Sequence, residues 1–366
     1  KASGEGREFS TTMAFVRILN TLVKDKKIGR HVVPIVADES RTFGMEGMFR
    51  SLGIWSSVGQ NYTPQDHGEL MFYKESKDGQ ILQEGITEPG AMASWIAAAT
   101  AYSTHGVQMM PFFIYYSMFG FQRFGDLAWA AGDQRARGFL LGGTSGRTTL
   151  NGEGLQHEDG HSHIQSALVP NCISYDPTFS YEVAVILQDG LRRMVQEQED
   201  VFYYITLLNE NYEHPALPEG AEKDILKGMY LLRKGPAGNG PRVQLLGSGA
   251  ILREVIAAAE LLKQDWGVEA DLWSCPSFTE LARDGQAVAR LNLLHPTDKP
   301  KLSHVEQCLK DTRGPVIAST DYVRAFAEQI RPYVPRRYAV LGTDGFGRSD
   351  TREKLRSFFE VDRHYV

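Results

Sequence analysis

The sequence is poor in cysteine and has no apolar run long enough to cross a membrane. Its three cysteines, Cys172, Cys275 and Cys308, lie far apart and form no C-x-x-C pair, which argues against a disulfide framework or a zinc site. We expect them to be buried, unreactive thiols. The most apolar stretch, at 106–121, is too short and too polar for a transmembrane helix, and the first residues show no targeting pattern. We therefore expect a cytoplasmic protein that does not enter a membrane.

An excess of charge of one sign is also missing. The 366 residues include 39 lysines and arginines against 45 aspartates and glutamates, a formal charge of -6, and 42% of the residues are hydrophobic. This composition does not favour disorder, binding to nucleic acid or binding to an anionic membrane surface. It favours a globular protein that acts on small molecules.

Several catalytic signatures are absent. The sequence has no G-x-S-x-G and no H-E-x-x-H, so it does not support a serine hydrolase or a zincin. A glycine-rich stretch at 247–252 follows a predicted strand, but Leu252 stands where a dinucleotide fingerprint has its third glycine. Another at 342–350 lacks the lysine of a Walker loop. We interpret both as structural turns, with a dinucleotide oxidoreductase as the weaker alternative for the first.

The sequence does contain a regular alternation of predicted strands and helices. A buried strand at 109–116, for example, precedes an amphipathic helix at 124–134. This order predicts parallel strands with helices on both faces. A polar, proline-containing stretch at 209–222 interrupts the alternation, as an interdomain connection does. We therefore predict an α/β protein of two doubly wound domains with mainly parallel sheets, at 1–214 and, smaller, at 215–366.

The densest group of reactive side chains lies at 151–164, here named the histidine loop, where three histidines and three carboxylates occur. His157, His161 and His163 could bind a metal only if the loop wrapped around it. The flanking glycines permit a mobile or tightly folded loop after a predicted strand, at the edge where α/β sheets bind ligands. From the spacing alone, a solvated turn, a catalytic loop and a metal site are all open.

Glu88 is a second candidate for a functional residue. Pro89 disfavours the α region for Glu88 and is itself preset for a first helical turn, so we expect the carboxylate at a helix N-terminus. The helix dipole favours an ionised carboxylate there, whereas burial favours the neutral acid, a combination found at acid–base sites. The alternative is an ordinary N-cap glutamate.

Four long segments, at 38–49, 84–106, 111–163 and 341–362, closely resemble the homodimeric bacterial pyruvate dehydrogenase decarboxylating subunits. These are transketolase-like thiamine diphosphate enzymes, in which a pyrimidine-binding domain precedes a C-terminal α/β domain. The resemblance implies oxidative decarboxylation of pyruvate, with transfer of the two-carbon unit to a lipoyl group on the dihydrolipoyl acetyltransferase subunit. It also implies that thiamine diphosphate performs the difficult chemistry.

The resemblance also implies roles for four residues. Glu88 matches the glutamate that hydrogen-bonds a ring nitrogen of the aminopyrimidine. Phe119 matches the aromatic residue that stacks on this ring, and Tyr116 lies on the same approach to the site. His157 is similar to the histidine that the family places on the substrate side of the thiazolium ring.

The resemblance places further residues near the site without assigning each of them a role. Asp38 and Glu39 match acidic residues of the same pocket, but a turn that caps the following helix is an equal alternative. His161 and His163 are expected to orient the histidine loop or to meet solvent. The polar stretch at 60–77 is expected to become ordered when the site is occupied.

One family motif is missing. The family holds the diphosphate through Mg²⁺ with a G-D-G run followed by an asparagine, and this sequence has no G-D-G. The chain is therefore expected to lack the diphosphate-binding domain, to contribute no metal ligand and to be inactive by itself. In a homodimer, the other subunit would complete the site. The alternative is a non-catalytic dimerisation or assembly module from the same family.

Overall fold

The computed structural model describes residues 6–37 and 40–366. The strands are β1 (Glu8–Phe9), β2 (Val32–Val36), β3 (Ile54–Trp55), β4 (Glu75–Ser76), β5 (Leu82–Gln83), β6 (Met110–Tyr116), β7 (Phe139–Gly143), β8 (Cys172–Tyr175), β9 (Phe202–Thr206), β10 (Tyr212–Glu213), β11 (Tyr230–Arg233), β12 (Arg242–Gly247), β13 (Glu269–Ser274), β14 (Val316–Ser319) and β15 (Tyr338–Leu341). The α-helices are α1 (Thr11–Val23), α2 (Phe49–Leu52), α3 (Glu88–Ala99), α4 (Ala101–Thr104), α5 (Phe121–Asp133), α6 (Ser162–Ala167), α7 (Ser180–Leu191), α8 (Glu222–Lys227), α9 (Ile251–Trp266), α10 (Phe278–Leu294), α11 (His304–Leu309), α12 (Ala325–Glu328) and α13 (Arg352–Phe358). Within the described ranges, no helix is both long and apolar enough to span a membrane.

A six-stranded sheet organises the first domain, with the order β5-β2-β6-β7-β9-β8 and every neighbouring pair parallel. Side chains along β6 alternate between two cores because successive residues of a strand point to opposite faces. Phe112 and Ile114 pack in the core that contains α1 and α7. Phe113 and Tyr115 pack in the core that contains α3 and α5. Helices therefore cover both faces, which confirms the doubly wound prediction.

The second domain has a five-stranded sheet with the order β11-β13-β12-β14-β15. Its strands are parallel except β11, which lies at the edge and pairs antiparallel with β13. The mainly parallel prediction is thus confirmed, but neither β11 nor the long helix α10 was identified from the sequence. The second half of α10, beyond Gly285, contains no buried residue, so burial does not select an apolar face there.

All three cysteines are free thiols. Cys172 and Cys275 are buried and Cys308 is half-buried. Burial raises the pKa of each thiol above its ordinary value, that of Cys308 to about 12. A raised pKa disfavours the reactive thiolate, in line with structural rather than chemical roles.

A residue of the first domain, Asp176, occupies the turn at 247–252. The Asp176 carboxylate accepts the Ser248 hydroxyl at 2.9 Å, and the Gly249 N–H donates to the Asp176 carbonyl at 3.2 Å. A Cβ atom added to Gly249 would lie 2.6 Å from the same carboxylate. A protein carboxylate thus occupies the place where a dinucleotide fingerprint would hold a phosphate.

Glu182 joins the two domains through its buried carboxylate. Its oxygens accept the backbone N–H groups of Thr178 at 2.5 Å and Phe179 at 3.0 Å. They also accept the hydroxyls of Tyr230 and Ser274, both at 2.6 Å, from the second domain. Desolvation raises the pKa of Glu182, and these four donors oppose the shift. One side chain therefore satisfies donors on both sides of the junction.

We expect Glu182→Ala to lower the free energy of unfolding by about 3 kcal/mol or more, because four buried donors lose their acceptor. Glu182→Gln keeps one acceptor oxygen and is expected to cost less. Urea denaturation measures both changes. Glu260→Ala is the control, since Glu260 pairs with Arg233 at a half-exposed site and its loss should cost less than about 0.5 kcal/mol. Equal losses for Glu182→Ala and Glu260→Ala would contradict this account.

Candidate active site

Four candidate residues meet at one edge of the six-stranded sheet. Glu88 begins α3, which follows β5. Tyr116 ends β6, and Phe119 ends the 3₁₀ turn after it. His157 ends another 3₁₀ turn, in the connection that follows β7. Because β5, β2, β6 and β7 are consecutive parallel neighbours, their carboxyl ends lie at the same edge, where open α/β sheets bind ligands.

Arg123 links the carboxylate to the aromatic part of this group. Its Nη1 donates to Glu88 Oε2 at 2.9 Å, and its Cζ lies 3.8 Å from the centroid of the Phe119 ring. The His157 ring lies 5.1 Å from Phe119 and 4.7 Å from Tyr116, centroid to centroid. Sequence analysis did not identify Arg123. Its position four residues after Phe119 was a weak signal, because the non-helical Gly120 separates the turn that ends at Phe119 from α5.

Glu88 lies inside α3 rather than at its N-cap. Thr87 is the N-cap residue, because its hydroxyl accepts the Gly90 N–H at 3.2 Å. The alternative of an ordinary N-cap glutamate is therefore wrong, as is the expectation that Pro89 keeps Glu88 out of the helix. Glu88 is 7% exposed. In the described part of the chain, only Arg123 donates a hydrogen bond to its carboxylate, through Oε2, so Oε1 can accept one from a ligand.

The His157 ring is mostly buried and has spare hydrogen-bonding capacity. Glu153 Oε2 lies 3.5 Å from Nδ1 without hydrogen-bond geometry. Nδ1 therefore has no hydrogen-bond partner among residues 6–37 and 40–366. The same is true of the buried Ser117 hydroxyl, on the segment that carries Phe119. Since buried polar atoms are normally paired, the site is suited to a polar ligand or to water.

Asp159 stabilises the histidine loop through hydrogen bonds to the residues that follow it. It is fully buried, and its carboxylate accepts the N–H groups of His161 and Ser162, both at 3.0 Å, and the Ser162 hydroxyl. Tyr204 donates its hydroxyl to Ser162 Oγ at 2.8 Å. The segment after His157 is therefore a fixed turn rather than a solvated one.

His163 packs between the domains and does not meet solvent. Its Nε2 lies 3.0 Å from Thr206 Oγ1, which in turn donates to Asp176 Oδ1 at 2.8 Å. Its ring stacks on Phe326 at 4.7 Å. Desolvation lowers the pKa of His163 to about 4, so the ring is neutral. His161 is half-buried and precedes α6. In the described ranges, no group of three or more histidine, cysteine or acidic side chains could hold a metal ion.

Glu158 is a buried carboxyl group next to His157. The residue is 1% exposed, and neither carboxyl oxygen has a hydrogen-bond partner among the residues that the structure describes. Desolvation and the charge of Asp321 raise its pKa to about 8, although Arg147 opposes the shift. Glu158 is therefore largely protonated at neutral pH, unlike a surface glutamate.

Two predictions about this region are not tested by the geometry. Asp38 and Glu39 lie outside the described residues. The stretch 60–77 contains turns, the short strand β4 and the exposed apolar residues Tyr62 and Leu70. That this stretch becomes ordered with an occupied site stays a prediction.

The chain is similar to proteins of one family along nearly its whole length. The family model of the pyruvate dehydrogenase E1 component middle domain matches residues 1–215, and that of the transketolase-like C-terminal domain matches residues 228–362. The chain is 76% identical to the pyruvate dehydrogenase E1 component of Cupriavidus necator, 67% to that of Pseudomonas aeruginosa and 64% to that of Escherichia coli K12. These alignments cover 100%, 98% and 99% of the chain but 41% of each relative. The chain thus spans about two fifths of the length of these curated relatives.

Solved structures show the same fold. Transketolase from Campylobacter jejuni aligns with 99% of the chain and 46% of its own length, at a TM-score of 0.70 and 18% identity. Transketolase from Leishmania mexicana aligns with 100% of the chain and 45% of its own length, at a TM-score of 0.71 and 17% identity. A split-gene transketolase, described as an inactive beta4 tetramer, aligns with 98% of the chain and 95% of its own length, at a TM-score of 0.60 and 15% identity.

A pH prediction follows from the burial of Glu158. Between its ordinary pKa of 4.5 and about 8, the folded protein binds more protons than the unfolded one, so its stability falls as pH rises. Glu158→Gln cannot ionise. We expect the stability of this variant, relative to the unchanged protein, to be greater at about pH 9 than at about pH 5, by about 1 kcal/mol or more.

Chemical denaturation at the two pH values measures this difference. Glu219→Gln is the control, because Glu219 is an exposed glutamate in the connection between the domains. Its relative stability should change little with pH. If the relative stability of Glu158→Gln were the same at both pH values, Glu158 would not be a protonated buried acid.

Proposed function

The chain belongs to the family of pyruvate dehydrogenase E1 components, and we propose on this basis that it forms the aminopyrimidine side of a thiamine diphosphate site. The reaction we propose is oxidative decarboxylation of pyruvate, with transfer of the two-carbon unit to a lipoyl group on the acetyltransferase subunit. The observation that carries the proposal is the convergence of Glu88, Arg123, Phe119 and His157 at one sheet edge.

The residues present fit an aminopyrimidine ring. Glu88 offers a carboxylate oxygen that no described residue occupies, which suits a ring nitrogen that carries a proton. Phe119 is a largely buried aromatic ring of the same group, with the Arg123 guanidinium over one of its faces. The unpaired Ser117 hydroxyl and His157 Nδ1 add polar atoms that a bound ligand could satisfy. A carboxylate, an aromatic ring and polar donors or acceptors together match a flat heterocycle better than an apolar ligand.

When bound, thiamine diphosphate supplies a nucleophilic thiazolium carbon and an electron sink for decarboxylation. Glu88 holds and returns a proton at a ring nitrogen of the aminopyrimidine. Proton exchange of this kind requires a carboxyl group kept in one orientation. The start of α3 and the contact with Arg123 provide that orientation. Arg123 is therefore a positioning residue for Glu88 in this proposal.

His157 acts on the substrate side. One nitrogen of its imidazole has no hydrogen-bond partner in the described part of the chain, and the ring would exchange protons with the oxygen derived from the substrate carbonyl. Tyr116 and Phe119 pack against the ring and keep water away from one side of it.

The remaining parts of the active unit are proposed from the family. Mg²⁺ and the diphosphate would be held by a domain that carries the G-D-G motif, contributed within a homodimer in the cytoplasm. The chain alone would then not turn over pyruvate. The split-gene transketolase, which aligns with the chain along nearly its whole length, is described as inactive, in agreement with this proposal.

We expect Glu88→Gln to lower kcat for pyruvate decarboxylation by about a hundredfold or more in the complete enzyme, because the amide cannot exchange the proton. The assay contains thiamine diphosphate, Mg²⁺ and an artificial electron acceptor, and intact mass spectrometry first establishes the length of the polypeptide. Calorimetry of cofactor binding separates lost chemistry from lost affinity.

Glu84→Gln is the matched control. Glu84 lies four residues earlier and accepts the Ser94 hydroxyl, so its loss should leave kcat within about twofold. Full activity of Glu88→Gln would overturn the proposed role of Glu88. If the complete enzyme neither bound the cofactor nor decarboxylated pyruvate, the non-catalytic assembly module would become the better interpretation.

A further inference from the structure

A buried arginine of the first domain reaches into the second domain behind the histidine loop. Arg147 follows β7 and is 3% exposed. Its Nη1 donates to the carbonyl oxygens of Thr343 and Gly345, the latter at 2.6 Å, in the loop after β15. Desolvation lowers the pKa of Arg147, and the charges of Asp159 and Asp321 oppose the shift. A guanidinium is thus held out of water by backbone acceptors of the other domain.

A buried carboxylate of the second domain, Asp321, contacts the residues that follow Arg147. Asp321 is 1% exposed. Its carboxylate accepts the Thr148 N–H at 2.8 Å, the Thr148 hydroxyl at 2.7 Å and the Thr149 hydroxyl at 2.5 Å. The Arg147 N–H donates to the Asp321 carbonyl at 3.3 Å. Residues 147–149 are therefore clamped by the second domain from both directions.

The same arginine contacts the histidine loop. Its Nε lies 3.4 Å from the carbonyl oxygen of Glu158, the residue after His157. A Cβ atom added to Gly160 would lie 2.3 Å from Arg147 Cζ, so the loop backbone packs directly on the guanidinium. The Val323 N–H of the second domain donates to the Gly160 carbonyl at 2.8 Å. The segment that carries His157 thus packs on Arg147 and on the backbone of the second domain.

Only a planar group with several donors can make these contacts together. The guanidinium reaches the loop after β15 through Nη1 and the histidine loop through Nε. A lysine has a single nitrogen and cannot span both acceptors. Buried carbonyl oxygens that lose their donor are costly to leave unpaired. The contact is therefore specific to arginine.

We propose that Arg147 is a positioning residue for His157, an inference that rests on the proposed role of His157. Arg147 acts through the backbone of the histidine loop, which it contacts at the Glu158 carbonyl oxygen and at Gly160. The second domain thereby sets the position of a proton-transfer group that belongs to the first domain. A small displacement of such a group is sufficient to slow a reaction strongly.

The test is a double-mutant cycle in the complete enzyme with cofactor bound. We expect Arg147→Lys to lower kcat about tenfold or more with KM for pyruvate nearly unchanged, because an interaction of the transition state is weakened. In the background of His157→Ala, the same substitution should lower kcat no further, because its effect passes through His157. A general structural role would instead give the same factor in both backgrounds.

Arg283→Lys is the matched control. Arg283 also donates across the domain junction, to the carbonyl oxygens of Cys172 at 2.6 Å and Val169 at 3.0 Å, both of which lie outside the histidine loop at 151–164. Its variant should keep kcat within about twofold. A second readout uses the cofactor-free enzyme. Hydrogen exchange of the peptide 151–164 should become faster in Arg147→Lys and stay unchanged in Arg283→Lys.

Each outcome decides the proposal. Equal losses for Arg147→Lys and Arg283→Lys, unchanged kcat in Arg147→Lys, or an undiminished loss in the His157→Ala background would overturn it. If Arg147→Lys does not fold, Asp321→Asn tests the other half of the clamp with the same cycle, since the amide keeps the shape of the side chain. Full activity of His157→Ala would instead overturn the proposed function of His157, which separates the two failures.

Discussion

The structure depends on three carboxylates that are buried between the two sheets. Asp176 and Glu182 belong to the first domain and Asp321 to the second, and none of them is more than 1% exposed. A carboxylate removed from water is costly unless hydrogen-bond donors replace its hydration. Each of the three accepts at least one hydroxyl from the opposite domain. Because neither domain can satisfy these groups alone, the two domains are expected to fold as a coupled pair.

The contacts between the two domains support the histidine side of the candidate site but not the side formed by Glu88 and Phe119. Glu88 and Phe119 are positioned within the first domain, by the start of α3 and the turn after β6. His157 lies on a loop whose next residues contact Arg147 and the backbone of Val323. The carboxylate and aromatic side of the site is therefore a property of one sheet, whereas the histidine side is a property of the junction between two sheets.

The sequence correctly indicated secondary structure where residues adjacent in the chain are sufficient to determine it. The continuous apolar run of β6 indicated a strand, and a proline after Glu88 indicated a helix start. The prediction was wrong by one residue because the Thr87 hydroxyl, rather than the Glu88 carboxylate, caps the helix. β11 and α10 were not identified, since the first pairs with a strand distant in sequence and the second has a narrow buried face.

By itself, the sequence determined the class of fold and the family, because both follow from the spacing of apolar residues and from long runs of matching residues. It also indicated Glu88, Phe119 and His157 as candidates. Only the tertiary structure decided that Arg123 holds Glu88 and that Arg147 supports the histidine loop. Arg123 lies 35 residues from Glu88, and Arg147 is held by carbonyl oxygens 196 and 198 residues away. The strength of such contacts comes from desolvation at buried positions, which a local pattern does not encode.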